Sequence, residues 1–247
     1  MLYIVLLTSF VVFFTLLSIA GVKQTKQLLE NDIDESAKLQ IYKTTIPGLW
    51  IPVVALFLVT IFSDMTISDI GFKLPEYQLS PVMTGIIFVA ASLWATFFLY
   101  MIIAFLVSPK HRKHRNYVIA KKASGSDYYD LVIYKLMIPK TKKEKRWWVP
   151  LSLSAGICEE VIFRGAFVFF VSSIFPDISI YMVFVIVVIL FGMGHFYQGT
   201  KGFVISTLVG AFFTIIYIAT GSLIFVIALH FLTDFANNFE YSDEAEA

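Results

Sequence analysis

A single cysteine, Cys158, excludes a disulfide within the chain and any Cys-pair metal motif. Charge is scarce. Asp, Glu, Lys and Arg supply 15% of the 247 residues, against about 25% in an ordinary soluble domain. There is no P-loop, no Gly-rich dinucleotide fingerprint and no His-Glu-x-x-His pair. Nothing in the chain therefore points to nucleotide-dependent chemistry or to the common zinc-protease signature. No internal repeat is visible. A nucleic-acid partner is not suggested either, because the one strongly basic run lies between apolar segments and is accounted for by membrane topology.

Apolar residues fill the place of charge: 58% of the chain is hydrophobic and the mean hydropathy is +0.78. These values predict an all-α, polytopic membrane helix bundle. Helix-length apolar segments fall at 2–22, 46–64, 81–107, 149–172, 179–197, 203–220 and 222–239, each near the roughly 20 residues that a bilayer demands. The first lacks the basic start of a signal peptide and is read as a span, although Ser18-Ile19-Ala20 resembles a cleavage site. Ala219-Thr220-Gly221-Ser222 reads as a tight hairpin between the last two. The sequence divides into N-terminal spans (1–107), a basic loop with an interfacial segment (108–148), a C-terminal core (149–239) and an acidic tail (240–247). Twelve of the 19 Lys and Arg residues lie between Lys110 and Arg146. The positive-inside rule then places the N-terminus outside and the C-terminus in the cytoplasm, and it favours contact of the basic loop with anionic lipid. Residues 128–138 read as interfacial, with Trp147-Trp148 as an aromatic anchor.

Six ionisable residues interrupt the late apolar segments: Glu159, Glu160, Arg164, His195, His230 and Asp234. Each costs roughly 2.5–3.5 kcal/mol near the bilayer centre on translocon scales, so such residues are functional-site candidates. Glu160 and Arg164 are four apart and share a helix face, which predicts an internal ion pair. Glu159 is rotated about 100° away and has no partner on its own helix, which makes it the candidate general base. In Phe191-Gly192-Met193-Gly194-His195 two glycines precede an imidazole and permit close helix packing. His230 and Asp234 are again four apart, so that carboxylate can orient the imidazole. The Gln198–Gly202 connection, with Gly199 and Gly202, is expected to flex beside His195.

Glu-Glu-x-x-x-Arg, then Phe-x-x-x-His, then His-x-x-x-Asp, in register on successive spans, resembles the CPBP family of intramembrane proteases. That family includes the type II CAAX prenyl endopeptidases and bacterial bacteriocin-processing or immunity proteins. The resemblance covers roughly Lys140 to Asn238, and Ser68-Asp69-Ile70-Gly71-Phe72 looks like a short loop motif of bacterial members. It implies seven or eight helices, a four-span catalytic core and a glutamate-dependent hydrolase; the topology above puts Glu159, His195 and His230 in the cytoplasmic half, so a peptide or membrane-protein substrate is expected to be cut near the cytoplasmic leaflet. Glu159 and His195 would activate water; His230 and position 234 would stabilise the oxyanion; Glu160 and Arg164 would support the site. The prenyl endopeptidases carry Asn where this chain has Asp234. An ionised Asp cannot donate a hydrogen bond, so Asp234 is assigned to orienting His230, a departure that favours the bacterial branch. No cofactor is implied. The rival readings are a zinc site on Glu159, His195 and His230, a non-enzymatic immunity or regulatory protein, a proton-coupled transporter, and Cys158 as nucleophile.

Overall fold

The computed structural model describes residues 1–30, 33–75, 81–107 and 128–239. The first half of the basic loop (108–127) and the acidic tail (240–247) lie outside the described residues. What is described is all-α, as composition predicts. A chain in lipid must satisfy its backbone within itself, and a helix does so segment by segment. The order is α1 (Leu2–Glu30), α2 (Glu35–Ile61), α3 (Pro81–Val107), α4 (Tyr128–Val132) with a π-helical turn at Ile133–Met137, α5 (Lys142–Glu160), a π-helical segment at Val161–Phe167, α6 (Val168–Ile174), α7 (Ile180–Gly194), a 3₁₀ turn at Phe196–Gln198, α8 (Gly199–Thr220), α9 (Leu223–Phe235) and a last 3₁₀ turn at Ala236–Phe239.

Among the described residues, three helices qualify as spans by length and composition: Leu2–Glu30, Glu35–Ile61 and Phe196–Thr220. Ile180–Gly194 and Leu223–Asn238 are shorter apolar helices. The boundaries move relative to the apolar runs. α1 and α2 extend well past their apolar stretches into the polar first loop, because charged residues at a helix end reach water. The segment expected at 149–172 begins at Lys142, where Thr141 caps it by accepting from the Glu144 amide. Asp34, Ser179 and Ser222 cap α2, α7 and α9 in the same way. Gly221 takes a left-handed φ of 62° that closes the α8–α9 hairpin.

Burial is inverted at the surface. Ile19, Leu58, Leu93 and Leu208 are exposed, whereas Glu160 and Arg164 are fully buried. Outward aliphatics with polar groups turned inward are what a lipid solvent selects. An aromatic cluster runs through the core: Phe10, Phe163, Phe167, Phe170, Phe191 and Phe213 join α1, the π-helical segment, α6, α7 and α8. α5 packs between α2 and α9, and α7 packs on α8.

Two clamps hold the bundle. At one end, Lys38 pairs with Glu144 (3.0 Å) and donates to the Ile138 carbonyl, while the Tyr42 hydroxyl donates to Leu136 O (3.0 Å). Glu35, at the start of α2, pairs with Lys143 at the start of α5 (3.3 Å). These bonds fasten α2, α5 and residues 133–138 together. At the other end the loop motif Ser68–Phe72 acts as a wedge. Gly71, at φ 88°, accepts from the Leu223 amide (2.9 Å), and Ile70 is fully buried. A Cβ on Gly165 would meet the Ile70 carbonyl at 2.8 Å, so the loop touches the π-helical backbone itself.

Candidate active site

Glu159 and Glu160 are the last residues of α5, where the helix passes into the π-helical segment. A π turn widens the helix by one residue and commonly sits at functional sites. Here it carries Arg164, which is fully buried. Its guanidinium donates to Glu160 Oε1 (2.9 Å), to the Gly210 carbonyl (3.0 Å) and to Thr214 Oγ1 (3.3 Å), and it lies 4.2 Å from the centroid of Phe191. The fork thus spends its donors on three partners from two elements, and this offsets the cost of burying a cation. Gly210 is required for that reach: a Cβ there would stand 3.3 Å from Nη2 and 2.6 Å from Phe191 Cδ1.

The Glu160–Arg164 pair expected from spacing is therefore present, but it is not self-contained. Glu160 Oε1 also receives His230 Nδ1, at 2.6 Å. This bears on the role assigned to Asp234. The carboxylate hydrogen-bonded to the His230 ring is Glu160, and Asp234 Oδ2 is 3.6 Å from Nε2, too long for a direct hydrogen bond. The i, i+4 spacing brings Asp234 near but aims it past the ring. Its main-chain carbonyl accepts from the Trp148 indole (2.8 Å), tying the aromatic anchor to the site.

His195 lies one residue beyond α7, as its C-cap, rather than within the span read at 179–197. Its Nδ1 is 2.9 Å from the Phe191 carbonyl. A carbonyl only accepts, so Nδ1 carries the hydrogen, and in the neutral ring Nε2 presents a lone pair. The connection after it does not form a flexible loop. Phe196–Gln198 is a 3₁₀ turn and α8 begins at Gly199, whose backbone packs against Tyr128. The two glycines serve close packing there.

These elements converge on Glu159. Its Oε2 is 3.8 Å from His195 Nε2 and 3.8 Å from His230 Nε2, and is buried with no hydrogen-bond partner among the described residues. Glu159, His195, His230 and Asp234 all line one cavity of about 940 Å³, whose walls run from Leu17 and Gln24 on α1 to Asn237 after α9. Close approach of α5 and α9 makes the convergence possible: a Cβ on Gly156 would lie 3.0 Å from the Phe231 nitrogen. Among the described residues no three His, Cys, Asp or Glu side chains are arranged to hold a metal ion. Cys158 is buried and is a cavity-wall residue.

The sequence reading missed Tyr197, Gly210 and Thr214 beside these groups and gave Trp148 only as an interfacial anchor. Gly210 and Thr214 are four apart on α8, the one pattern that marked a shared face.

The fold and site define a class: a helical membrane bundle whose late helices hold a buried Glu–His constellation. Residues 143–236 match the protein-family model of the Type II CAAX prenyl endopeptidase Rce1-like family, in agreement with the resemblance read from the three motifs. Comparison with curated proteins and with solved structures finds no match.

Proposed function

We propose that the chain is an intramembrane endopeptidase in which Glu159 and His195 activate a water molecule. The observation that carries this is the Glu159 oxygen, unpartnered and equidistant from two imidazole nitrogens at 3.8 Å. That spacing exceeds a direct hydrogen bond and suits a bridging water. Such a water gives one hydrogen to Glu159 and the other to the lone pair on His195 Nε2. As its oxygen bonds the substrate carbonyl carbon, Glu159 takes the first proton. It returns that proton to the nitrogen as the C–N bond breaks. Glu160, held by Arg164, fixes the His230 ring through Nδ1 and turns Nε2 to the same space. Asp234 adds an acceptor beside it. The family match supports peptidase activity in general terms. The match, together with the apolar helices, supports a peptide or membrane-associated protein as substrate; the positive-inside reading of the basic run places the cut near the cytoplasmic leaflet.

The test is reconstitution in liposomes with a fluorogenic peptide library in heavy-oxygen water. Cleavage should place the heavy isotope in each new carboxyl terminus, and Glu159→Gln should stop it. Undiminished cleavage by Glu159→Gln would remove the glutamate mechanism. Failure of the wild type to cut any peptide would favour the non-enzymatic, partner-binding reading.

A further inference from the structure

One end of the cavity before Glu159 is covered and one side is parted. Residues 128–138 cover the end, and Tyr129, Ile133 and Leu136 among them line the cavity. Four elements fasten that segment. Lys135 Nζ donates to Leu29 O on α1 (3.2 Å), and the Tyr42 hydroxyl on α2 donates to Leu136 O (3.0 Å). The Tyr128 hydroxyl donates to Tyr197 O in the 3₁₀ turn (3.1 Å), and Lys201 on α8 pairs with Asp130 (3.1 Å). No such closure joins α1 to α2 among the described residues. α1 packs on α6, α7 and the 3₁₀ turn, α2 packs on α5, and the cavity lies between the two. Leu17 and Gln24 on α1, and Thr44 and Thr45 on α2, line the cavity and are also exposed, so they mark a window. From Leu17 to Gln24 the window is about 10 Å tall, close to the diameter of one helix. Gly48 keeps it clear, since a Cβ there meets nothing within 4 Å. Phe97 on α3 and Ile205 on α8 are exposed cavity residues too. There, however, α3 and α8 pack on each other, with Trp94 stacked on Phe212 at 4.7 Å.

The walls say what passes through the window. Gln24, Thr25, Ser206 and Asn237 bring amide and hydroxyl groups to the cavity, and these have no hydrogen-bond partner among the described residues. Thr25 is also buried. A wholly apolar occupant would leave such groups unpaired, at a cost in free energy. A wound helix would do the same, because its N–H and C=O groups are bonded to each other and its peptide bonds are shielded. A helix that has come unwound presents the complementary set, main-chain donors and acceptors that need partners away from water. By the topology read from the basic run, the covered end faces the cytoplasm and the window opens into the cytoplasmic half of the bilayer.

We propose that the α1–α2 window is the substrate entrance, and that it takes a bilayer-embedded polypeptide segment sideways, unwound where it enters, with Gln24 and Thr25 bonding its freed main chain. The proposal rests on the peptidase reading above and narrows its substrate class to polypeptides anchored in the bilayer beside the bond that is cut. The anchor stays in lipid outside α1 and α2, and only the unwound stretch reaches Glu159.

The experiment uses the full chain in liposomes with its best-cleaved sequence carried on a single apolar anchor helix. Gly48→Trp sets a ring in the window. It should lower kcat/KM at least about tenfold with the melting temperature unchanged. Gly85→Trp on α3, where a Cβ is likewise free of neighbours, should keep the wild-type value. Gln24→Leu should raise KM by about three- to tenfold, the net worth of one hydrogen bond, and leave kcat alone; an unchanged KM overturns the role given to Gln24. A Gly48→Trp value within about threefold of wild type overturns the entrance. If Gly48→Trp loses thermal stability, photo-crosslinking decides. Benzoylphenylalanine replaces Thr44 or Ile205 in full-length Glu159→Gln, which holds the anchored peptide uncut. Stronger capture at position 44 supports the window, and equal or stronger capture at position 205 overturns it. Turnover by Glu159→Gln separates the two hypotheses. If it cuts normally, or if wild type cuts nothing, the peptidase reading fails and this proposal falls with it. If Glu159 is required and Gly48→Trp cuts as wild type does, only this proposal falls.

Discussion

Glu159 and Glu160 are adjacent and chemically identical, yet their surroundings give them different work. Glu160 is fully buried, and one oxygen binds both Arg164 and His230. Glu159 faces the cavity with an unpartnered oxygen. Glu159→Gln keeps the shape and removes the base. Hydrolysis should fall by at least about 10²–10⁴-fold, the usual worth of a positioned acid–base group. The melting temperature in detergent should stay near wild type. Arg164→Ala should do the reverse in its first effect. It strands Glu160, at a cost of about 3–5 kcal/mol for breaking a buried pair, and releases His230 as well. Thermal unfolding of Arg164→Ala beside Glu159→Ala checks this, and equal stability of the two would contradict it. The Glu160–Arg164 pair was legible because i, i+4 spacing reports a shared face. The Glu160–His230 bond was not, since 70 positions separate the two residues and no local periodicity records a contact between helices. Asp234 shows the converse limit. Its spacing from His230 places it near the ring, and only the packing of α9 decides that it misses Nδ1.

At the scale of elements, the site depends on how closely α5 and α9 approach. Gly156 sets that distance, because a side chain there meets main chain rather than a movable neighbour. Gly156→Val should force the helices apart. Overpacking of this kind typically costs about 1–3 kcal/mol, and the shift should separate Glu159 from His230 and abolish turnover. Gly85→Val on α3, where a Cβ meets nothing within 4 Å, is the control and should remain stable and active. Thermal unfolding and peptide cleavage read both variants. The helices themselves were legible from apolar runs of the right length. Their ends were less so. Hydropathy falls where a helix leaves lipid, but the backbone keeps winding, as in α1 past Val22 and in α5 from Lys142. The π-helical segment at Val161–Phe167 had no signature at all. Its β-branched Val161 and Ile162 and its Gly165 are weak helix formers but do not specify a π turn, and Gly165 packs closely against Ile70 and Leu223.

For the whole molecule, the open matter is its orientation in the bilayer. The basic run at 108–147 predicts a cytoplasmic face for α1's C-terminal end, for the start of α5 and for the α7–α8 turn. Cysteine labelling of intact cells with an impermeant reagent, on a Cys158→Ser background, tests this. Gln198 is buried and makes a poor reporter, whereas Thr200 and Ser173 are exposed. A cysteine at Ser173 should label from outside, and one at Thr200 only after lysis. The reverse pattern would invert the chain and the side from which substrate arrives. The three motifs lie in one late stretch, which is why the candidate site was legible; the rest of the cavity wall is drawn from α1, α2 and residues 129–137, where the sequence carries no motif. The π-helical segment between Glu160 and α6 carries a last consequence, in the language of heredity. A widened turn is an α-helix that has absorbed one additional residue. Loss of the single codon for Ile162 would restore ordinary winding and re-aim Arg164 relative to Glu160, while Glu159, Glu160, Arg164, His195, His230 and Asp234 all stay in the gene. A lineage descended from this chain could thus fall silent with its motifs nearly intact, and a census of such motifs would still count it among the active.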